Sequence, residues 1–343
     1  MLKQSSPTEV QFLVRIVAAS TQTVWFRQSA AISASFLGLL LLAPSAPLAA
    51  QGPLEPASSH CSGRDLIQTA TVGPYLFKAY KNRMNGDGCL EVLETRHSGK
   101  TIGKLASRVV FRHSIEGMGE FRLGQPEDPA RKIPGIENGT DITGRGRANM
   151  IVTNWTDGAR CCFVHYVFEV DPTLWLLAKF DDGDGEGAHF ADLDGNKHYY
   201  YVGNDWTFSY PTPAGSRAPS VILRFVDDPK DPGYRLAIDK MRRPGPTQDQ
   251  WNKAVSDARS DFGDPGSVWD GLGSELSRNM INLIYTGNSD LAWKAVDQAW
   301  PAQRPGKDKY LSSFCAQLKT SPYWPQLKPT ILNPPPACAA SAP

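Results

Sequence analysis

The densest group of acidic side chains lies between residues 181 and 194. It begins with Asp181-Asp182-Gly183-Asp184-Gly185-Glu186 and continues with Asp192 and Asp194. Two carboxylates held close together can act as general acid and base on a sugar, and they can also bind a divalent cation. Carboxylates gather in loops for a simpler reason as well, because they stay hydrated there. The sequence favours this solvated loop over a catalytic pair.

A calcium site is the second chemistry that the acidic residues could support. Asp192, Asp194 and Asn196 occupy alternate positions of a loop, the pattern in which oxygen ligands surround calcium. Lys197 stands where such loops carry glycine, and Tyr200 stands where they carry a closing carboxylate. Asp192, Asp194 and Asn196 are therefore candidate calcium ligands. The favoured alternative is a metal-free turn in which Asp side chains accept backbone N–H groups.

The common catalytic motifs are absent from the sequence. It contains no His-Glu-x-x-His, no Gly-x-Ser-x-Gly and no phosphate-binding loop that ends in Gly-Lys-Ser/Thr. His165 lies within an apolar strand, where a packed and hydrogen-bonded histidine is the usual finding. Five aromatic residues could line a carbohydrate or peptide surface, although core packing explains most of them equally well: Trp155, Trp206, Tyr199, Tyr200 and Tyr201. No catalytic or cofactor-binding residue is assigned, and a non-enzymatic role is favoured.

The predicted secondary structure that must position these residues changes once along the chain, from strands to helices. From Gly73 to Arg243, β-branched and aromatic runs alternate with turn formers, which predicts antiparallel strands. After Arg243 the apolar residues recur at helical spacing, beginning with a capping box at Thr247 and Gln250. We predict a mainly β N-terminal domain and a small all-α C-terminal domain. The predicted segments are a flexible stretch at residues 51–72, the β domain at 73–243, the helical domain at 244–330 and a disordered tail at 331–343.

An internal similarity runs through the β region. Asp141-Ile-Thr-Gly-Arg-Gly-Arg-Ala-Asn-Met-Ile-Val-Thr-Asn-Trp-Thr156 aligns without a gap with Asp192-Leu-Asp-Gly-Asn-Lys-His-Tyr-Tyr-Tyr-Val-Gly-Asn-Asp-Trp-Thr207. The pattern resembles the FG-GAP or VCBS-like repeat of integrin α-chain propellers and of uncharacterised exported bacterial proteins. The resemblance implies propeller blades, calcium in the acidic loop and a role in adhesion or ligand contact. A closed ring, a partial propeller-like array and a β-sandwich remain alternatives, because the strand region holds few repeats of this length.

The N-terminal segment predicts export. Scattered cations precede an apolar run from Ala30 to Ala43, and small residues follow it up to Ala50, as in a signal peptide that covers residues 1–50. The run is shorter than the ~20 residues of a membrane-spanning helix. A cleaved signal is therefore favoured over a retained anchor, and no permanent membrane span is expected. We expect a periplasmic or secreted protein.

All six cysteines follow the predicted signal, in a compartment where disulfides persist. One expected bridge joins Cys315 to Cys338 within the helical part. A second bridge could join Cys61 or Cys89 to one member of the adjacent pair at 161–162, although the sequence alone does not fix the connectivity. No Cys-x-x-Cys spacing indicates a zinc or redox site.

Net charge restricts the class of partner. The chain has 36 basic and 35 acidic side chains, which excludes the strongly basic balance of nucleic-acid-binding proteins. The sequence favours an exported, non-enzymatic binding or interaction module with degenerate calcium loops, whose ligand is an unidentified protein or carbohydrate. The alternative is a secreted hydrolase of glycans or cell-wall material that uses the carboxylates around 181–194.

Overall fold

The order of strands and helices agrees with the predicted fold class. A computed structural model describes residues 61, 63–82, 88–98, 101–105, 119–155, 163–171, 173–183, 187–208, 218–262 and 274–340. Within these ranges the chain forms three antiparallel sheets and then a helical C-terminal part. The coarse prediction of a β-rich part followed by a helical part is confirmed. The predicted signal peptide lies outside the described residues.

Each sheet contains four strands that are consecutive in the sequence. The first sheet consists of β1 (Asp65–Val72), β2 (Tyr75–Lys81), β3 (Gly88–Ser98) and β4 (Thr101–Leu105). The middle sheet consists of β5 (Glu120–Leu123), β6 (Asn149–Trp155), β7 (Phe163–Glu169) and β8 (Trp175–Asp181). The third sheet consists of β9 (His189–Ala191), β10 (Tyr200–Asn204), β11 (Ser220–Val226) and β12 (Gly233–Leu236). Within each sheet, every strand pairs with its neighbour in sequence, as the many turn formers favour.

The middle sheet contributes to a core on each of its faces. Val152 and Tyr166 lie opposite each other in β6 and β7 and belong to the core shared with the first sheet. Ile151 and Val167, the neighbouring pair, belong to the core shared with the third sheet. Successive strand residues point to opposite faces, so a sheet covered on both sides needs apolar residues at consecutive positions. This explains the nearly continuous apolar sequence of β6 and β7.

Seven α-helices lie within the described residues, and all of them follow the third sheet in the chain. They are α1 (Ile238–Met241), α2 (Gln248–Ser260), α3 (Glu275–Tyr285), α4 (Ser289–Ala299), α5 (Lys307–Lys319), α6 (Trp324–Leu327) and α7 (Pro336–Ala340). The predicted capping box at Thr247 and Gln250 opens α2. Tyr234 of the third sheet lies in the same buried cluster as Leu276 and Phe314 of the helices. None of the helices in the described ranges combines the length and apolar character needed to cross a membrane.

Two disulfides lie within the described residues. Cys315 is bonded to Cys338, as predicted. The expected bridge from Cys61 or Cys89 to position 161 or 162 is wrong, because Cys61 and Cys89 are bonded to each other. That bond fastens the segment before β1 to the start of β3. Cys338 lies in α7, so its bond also fastens part of the segment 331–343 that was expected to be disordered.

Two glutamine side chains cover the outer edges of sheets. The Gln68 amide donates to the carbonyl of Leu123 at 3.0 Å and accepts from its N–H at 2.8 Å. The Gln125 amide makes the same two contacts with Phe190, at 2.8 Å and 2.6 Å. Leu123 and Phe190 lie in β5 and β9, the edge strands of the middle and third sheets. Each amide therefore satisfies backbone groups that an unpaired edge would expose.

Replacing Gln125 by methionine tests the contribution of this contact. Gln125→Met is expected to lower the free energy of unfolding by about 1–3 kcal/mol, because the N–H and C=O groups of Phe190 lose their partner. Urea unfolding followed by circular dichroism measures the change. Gln248→Met, at an exposed position of α2, is the matched control and should cost less than about 0.5 kcal/mol. Equal losses in the two variants would show that the amide contact contributes nothing specific.

Candidate functional site

A cavity of about 530 Å³ lies over one face of the middle sheet. Its floor consists of five side chains from β5, β6 and β7, namely Arg122, Thr153, Trp155, Phe163 and His165. One wall is formed by the segment 124–133, and the other includes Ala188 and His189 at the start of the third sheet. We refer to it as the middle-sheet cavity. Its volume falls in the range of small-molecule sites, which is roughly 300–1,000 Å³.

Strand register places these five side chains on one face. Arg122 lies opposite Thr153, and Thr153 lies opposite His165, so the three form a row across β5, β6 and β7. Trp155 and Phe163 also lie opposite each other, two residues along β6 and β7 from Thr153 and His165. Directly opposed residues share a face of an antiparallel sheet, and so do residues two apart in a strand. A polar row and an aromatic pair therefore lie side by side on the cavity floor.

A chain of polar groups leads from the cavity floor into the interior. The hydroxyl oxygen of Thr153 lies 3.0 Å from Nδ1 of His165. Nε2 of His165 lies 3.2 Å from Oδ2 of Asp182 without forming a hydrogen bond to it. The same carboxyl oxygen accepts a hydrogen bond from the Tyr201 hydroxyl. This polar chain, Thr153–His165–Asp182–Tyr201, connects the middle sheet to β10 of the third sheet.

Burial controls the protonation of the polar chain. Loss of hydration raises the pKa of Asp182 to about 7, and the Tyr201 hydrogen bond opposes this shift only in part. Loss of hydration also lowers the pKa of His165 to about 4, and His189 adds to the effect. The pKa of Tyr201 is raised well above its ordinary value, again chiefly by burial. Near neutral pH the imidazole is therefore uncharged, and Asp182 exchanges its proton close to that pH.

The carboxylates of the acidic stretch lie in different surroundings. Asp181 is exposed at the end of β8, whereas the adjacent Asp182 is buried. Residues 184–186 lie outside the described residues, and Asp192 and Asp194 belong to the loop between β9 and β10. Asp182 contacts His165 and so reaches the middle-sheet cavity through that side chain. The sequence did not single out Asp182 from its neighbours, because its burial depends on Tyr201 in a distant strand.

The loops that begin at Asp141 and Asp192 share three hydrogen bonds at matching positions, and the Asp141 carboxylate accepts a fourth backbone N–H, from Gly144 at 2.8 Å. The Asp141 carboxylate accepts backbone N–H groups two, four and five residues later, at 3.1, 3.2 and 2.5 Å. The Asp192 carboxylate accepts from the same three relative positions, at 3.3, 3.1 and 2.8 Å. At the last of these positions Gly146 and Lys197 both have positive φ, 72° and 65°. Lys197 therefore occupies a left-handed conformation that favours glycine.

The other two candidate calcium ligands have partners within the protein. Asp194 forms an ion pair with Lys240 and accepts a hydrogen bond from the Tyr200 hydroxyl at 2.6 Å. The Asn196 side chain accepts the N–H of His198 at 2.9 Å. Among the described residues, no three His, Cys, Asp or Glu side chains are placed to hold a metal ion together. Calcium binding by Asp192, Asp194 and Asn196 stays a prediction, while the hydrogen bonds are those of a turn.

Three residues of the site had incomplete signals in the sequence. Trp155 was a candidate for a ligand surface, and it lines the cavity. His165 was expected to be packed and hydrogen-bonded, and it is 7% exposed and bonded to Thr153. Thr153 was not singled out, although a polar residue in an otherwise apolar strand next to a histidine-bearing strand is a usable signal.

Comparisons with known proteins yield no relative for this chain. No protein-family model matches it, and neither a curated protein nor a solved structure shows significant similarity to it. The functional interpretation therefore depends on the site itself.

The pH dependence of stability tests the burial of Asp182. Folded Asp182 binds its proton more tightly than the unfolded chain does, so between its ordinary pKa of 3.8 and about 7 it lowers stability as pH rises. His165 acts in the opposite direction, because its folded pKa of about 4 is below the ordinary 6.5. Asp182→Asn removes only the first effect. We expect the unfolding free energy of this variant, relative to that of the original protein, to increase steadily from pH 4 to 7.

Urea unfolding at a series of pH values measures that difference. Asp171→Asn, at an exposed carboxylate after β7, serves as the control and should give a curve parallel to that of the original protein. If the Asp182→Asn curve is parallel as well, Asp182 does not titrate in this window and its proposed protonation is incorrect.

Replacing Asp192 by alanine separates a turn from a calcium site. The variant is expected to melt at a lower temperature, because three backbone N–H groups lose their acceptor. The decrease should be the same in calcium chloride and in a chelator, and Asp141→Ala should behave alike. Thermal unfolding followed by circular dichroism provides the measurement. A decrease seen only when calcium is present would instead identify Asp192 as a metal ligand.

Proposed function

We propose that the chain is an exported binding module with a propeller-like β part, and that its ligand occupies the middle-sheet cavity. Export is supported by the signal-like N-terminal sequence and by two disulfides, which are typical of proteins from oxidising compartments. The cavity over the middle sheet is the observation that carries the binding proposal. The ligand class expected from the sequence, a protein or a carbohydrate, is compatible with an open site of this size.

Two features of the sheets support the propeller-like arrangement and the resemblance to FG-GAP or VCBS-like repeats. Each sheet is a four-stranded antiparallel meander, the unit from which propeller blades are built. The matching Asp141 and Asp192 loops precede the second strand of the middle sheet and of the third sheet, respectively. Loops of equal conformation at equal positions are what successive copies of one unit would produce.

The chemistry of the cavity floor supports ligand binding. Strands position the floor side chains, and a sheet packed on both faces holds them more rigidly than a loop would. Trp155 and Phe163 provide apolar contact area, while Thr153 provides an uncharged hydroxyl that can hydrogen-bond to a ligand. A mainly apolar concave site with a few oriented polar groups is the usual composition of a small-molecule site.

Ligand binding can be tested with saturation-transfer NMR on the full chain. A panel of glucose, N-acetylglucosamine, sodium glucuronate, sodium benzoate and alanyl-alanine supplies the probes. We expect at least one compound to receive saturation from the protein, and we expect Trp155→Ala to abolish the signal because the variant loses the aromatic surface. Trp251→Ala, which alters a half-buried tryptophan on α2, is the control and should retain binding. A panel without any signal, or a signal lost equally in both variants, would contradict the proposal.

A hydrolase remains the second candidate, and one observation favours it. Asp182 is a buried carboxyl group with a pKa raised to about 7, beside a histidine that opens onto the cavity. Such a group can donate and accept protons near neutral pH. In the same NMR experiment a hydrolase would produce new product resonances from an added ester or glycoside. His165→Gln should remove those resonances while saturation transfer to the substrate persists.

A further inference from the structure

We propose that the middle-sheet cavity recognises a ring-bearing carboxylate, a ligand with one six-membered ring and one carboxylate group. This inference rests on the proposed binding function and specifies the class of ligand. It is based on the positions of the aromatic pair, of the polar row and of the charged side chains along the cavity walls.

The aromatic pair provides a surface for a ring. Trp155 and Phe163 lie directly opposite each other in β6 and β7, so their side chains stand together on the cavity face. Both are half-buried and line the cavity. A flat six-membered ring that covers them removes apolar area from water on both partners, at about 25 cal/mol per Å². Either a sugar ring or an aromatic ring satisfies this requirement.

Arg122 is placed to bind a carboxylate on such a ring. It lies in β5 two residues after Glu120, which is the residue opposite Trp155, so its Cα is about 7 Å further along the strand than that of Glu120. Its side chain is 54% exposed and contacts Glu120 through Nε at 3.3 Å. A guanidinium carries five N–H donors, and a carboxylate can accept two of them in parallel.

The balance of permanent charges in the cavity favours an anionic ligand. Arg122 lies on the floor and Arg131 on the wall, where Asp128 is the one carboxylate among the described lining residues. Arg131 is paired with that carboxylate at 2.8 Å, and Glu120 is shared between Arg122 and Lys81, so these five side chains have an excess of one positive charge. A carboxylate ligand complements this excess, whereas an ammonium ligand would be repelled.

Thr153 and His165 lie on the cavity floor beside the aromatic pair. Thr153 is directly opposite Arg122 on one side and His165 on the other. Its hydroxyl can hydrogen-bond to a ligand hydroxyl or to the second carboxylate oxygen, while Nδ1 of His165 lies 3.0 Å from that hydroxyl on the side away from Arg122. The floor therefore offers an apolar surface, neutral polar groups and a cation within one ligand's length.

Paired titrations test this ligand class. Tryptophan fluorescence of the full chain is followed while glucuronate is compared with glucose, and benzoate with benzamide. We expect at least one carboxylate to bind about 10-fold more tightly than its neutral partner, as a charge-assisted hydrogen bond of about 1.5 kcal/mol or more provides. Arg122→Gln should remove this preference, so that the variant binds the charged and the neutral partner with about equal affinity. Arg224→Gln, an exposed arginine on the third sheet, is the matched control.

The outcomes separate the inference from the binding function on which it rests. Preference for glucuronate alone supports an acidic sugar, and preference for benzoate alone supports an aromatic acid. Equal binding of charged and neutral partners overturns the carboxylate inference while the binding function stands. Absence of binding by all four compounds, after a saturation-transfer panel without any signal, overturns both.

If Arg122→Gln fails to fold, Arg122→Lys is the second variant, because it keeps the charge. It should lose most of the preference, because lysine cannot bind a carboxylate through two parallel donors.

Discussion

Burial of the Asp182 carboxyl group is the constraint on which the cavity floor depends. An ionised carboxylate in the interior is costly unless it gains hydrogen bonds or takes up a proton. Tyr201 donates to it from the third sheet, and His165 lies beside it in the middle sheet. The two sheets thereby meet at a polar contact, and the imidazole directs its other nitrogen towards Thr153. The polar groups of the cavity floor follow from that arrangement.

The surrounding scaffold is stabilised by side chains that substitute for backbone partners. Gln68 and Gln125 bind the edges of two sheets as a further strand would, and Asp141 and Asp192 bind the N–H groups of their own loops. Loops and edges are thus fixed without additional strands. This matters for recognition, because a cavity with a fixed floor loses less conformational entropy when a ligand binds.

The features that the sequence could predict are local ones. Each of these features depends on a short stretch of chain. They are the capping box at Thr247, the change from strand to helix, the bridge between Cys315 and Cys338, and the matching positions of the Asp141 and Asp192 loops. The contacts that create the site join residues far apart in sequence. Such contacts depend on which strands meet and in which register. Examples are the bond between Cys61 and Cys89, the hydrogen bonds between Gln125 and Phe190, and the hydrogen bond from Tyr201 to Asp182. One sequence without its relatives does not specify that register, so the sequence does not distinguish the buried Asp182 from the other carboxylates of the acidic stretch.

A crystal structure of the protein grown with whichever carboxylate binds in the titrations would test the central claim most directly. The claim is that the middle-sheet cavity is the ligand site. The expected result is electron density for the ring against Trp155 and Phe163, with the carboxylate in contact with Arg122. Density for the ligand elsewhere on the molecule, or a cavity filled by the protein's own chain, would contradict it.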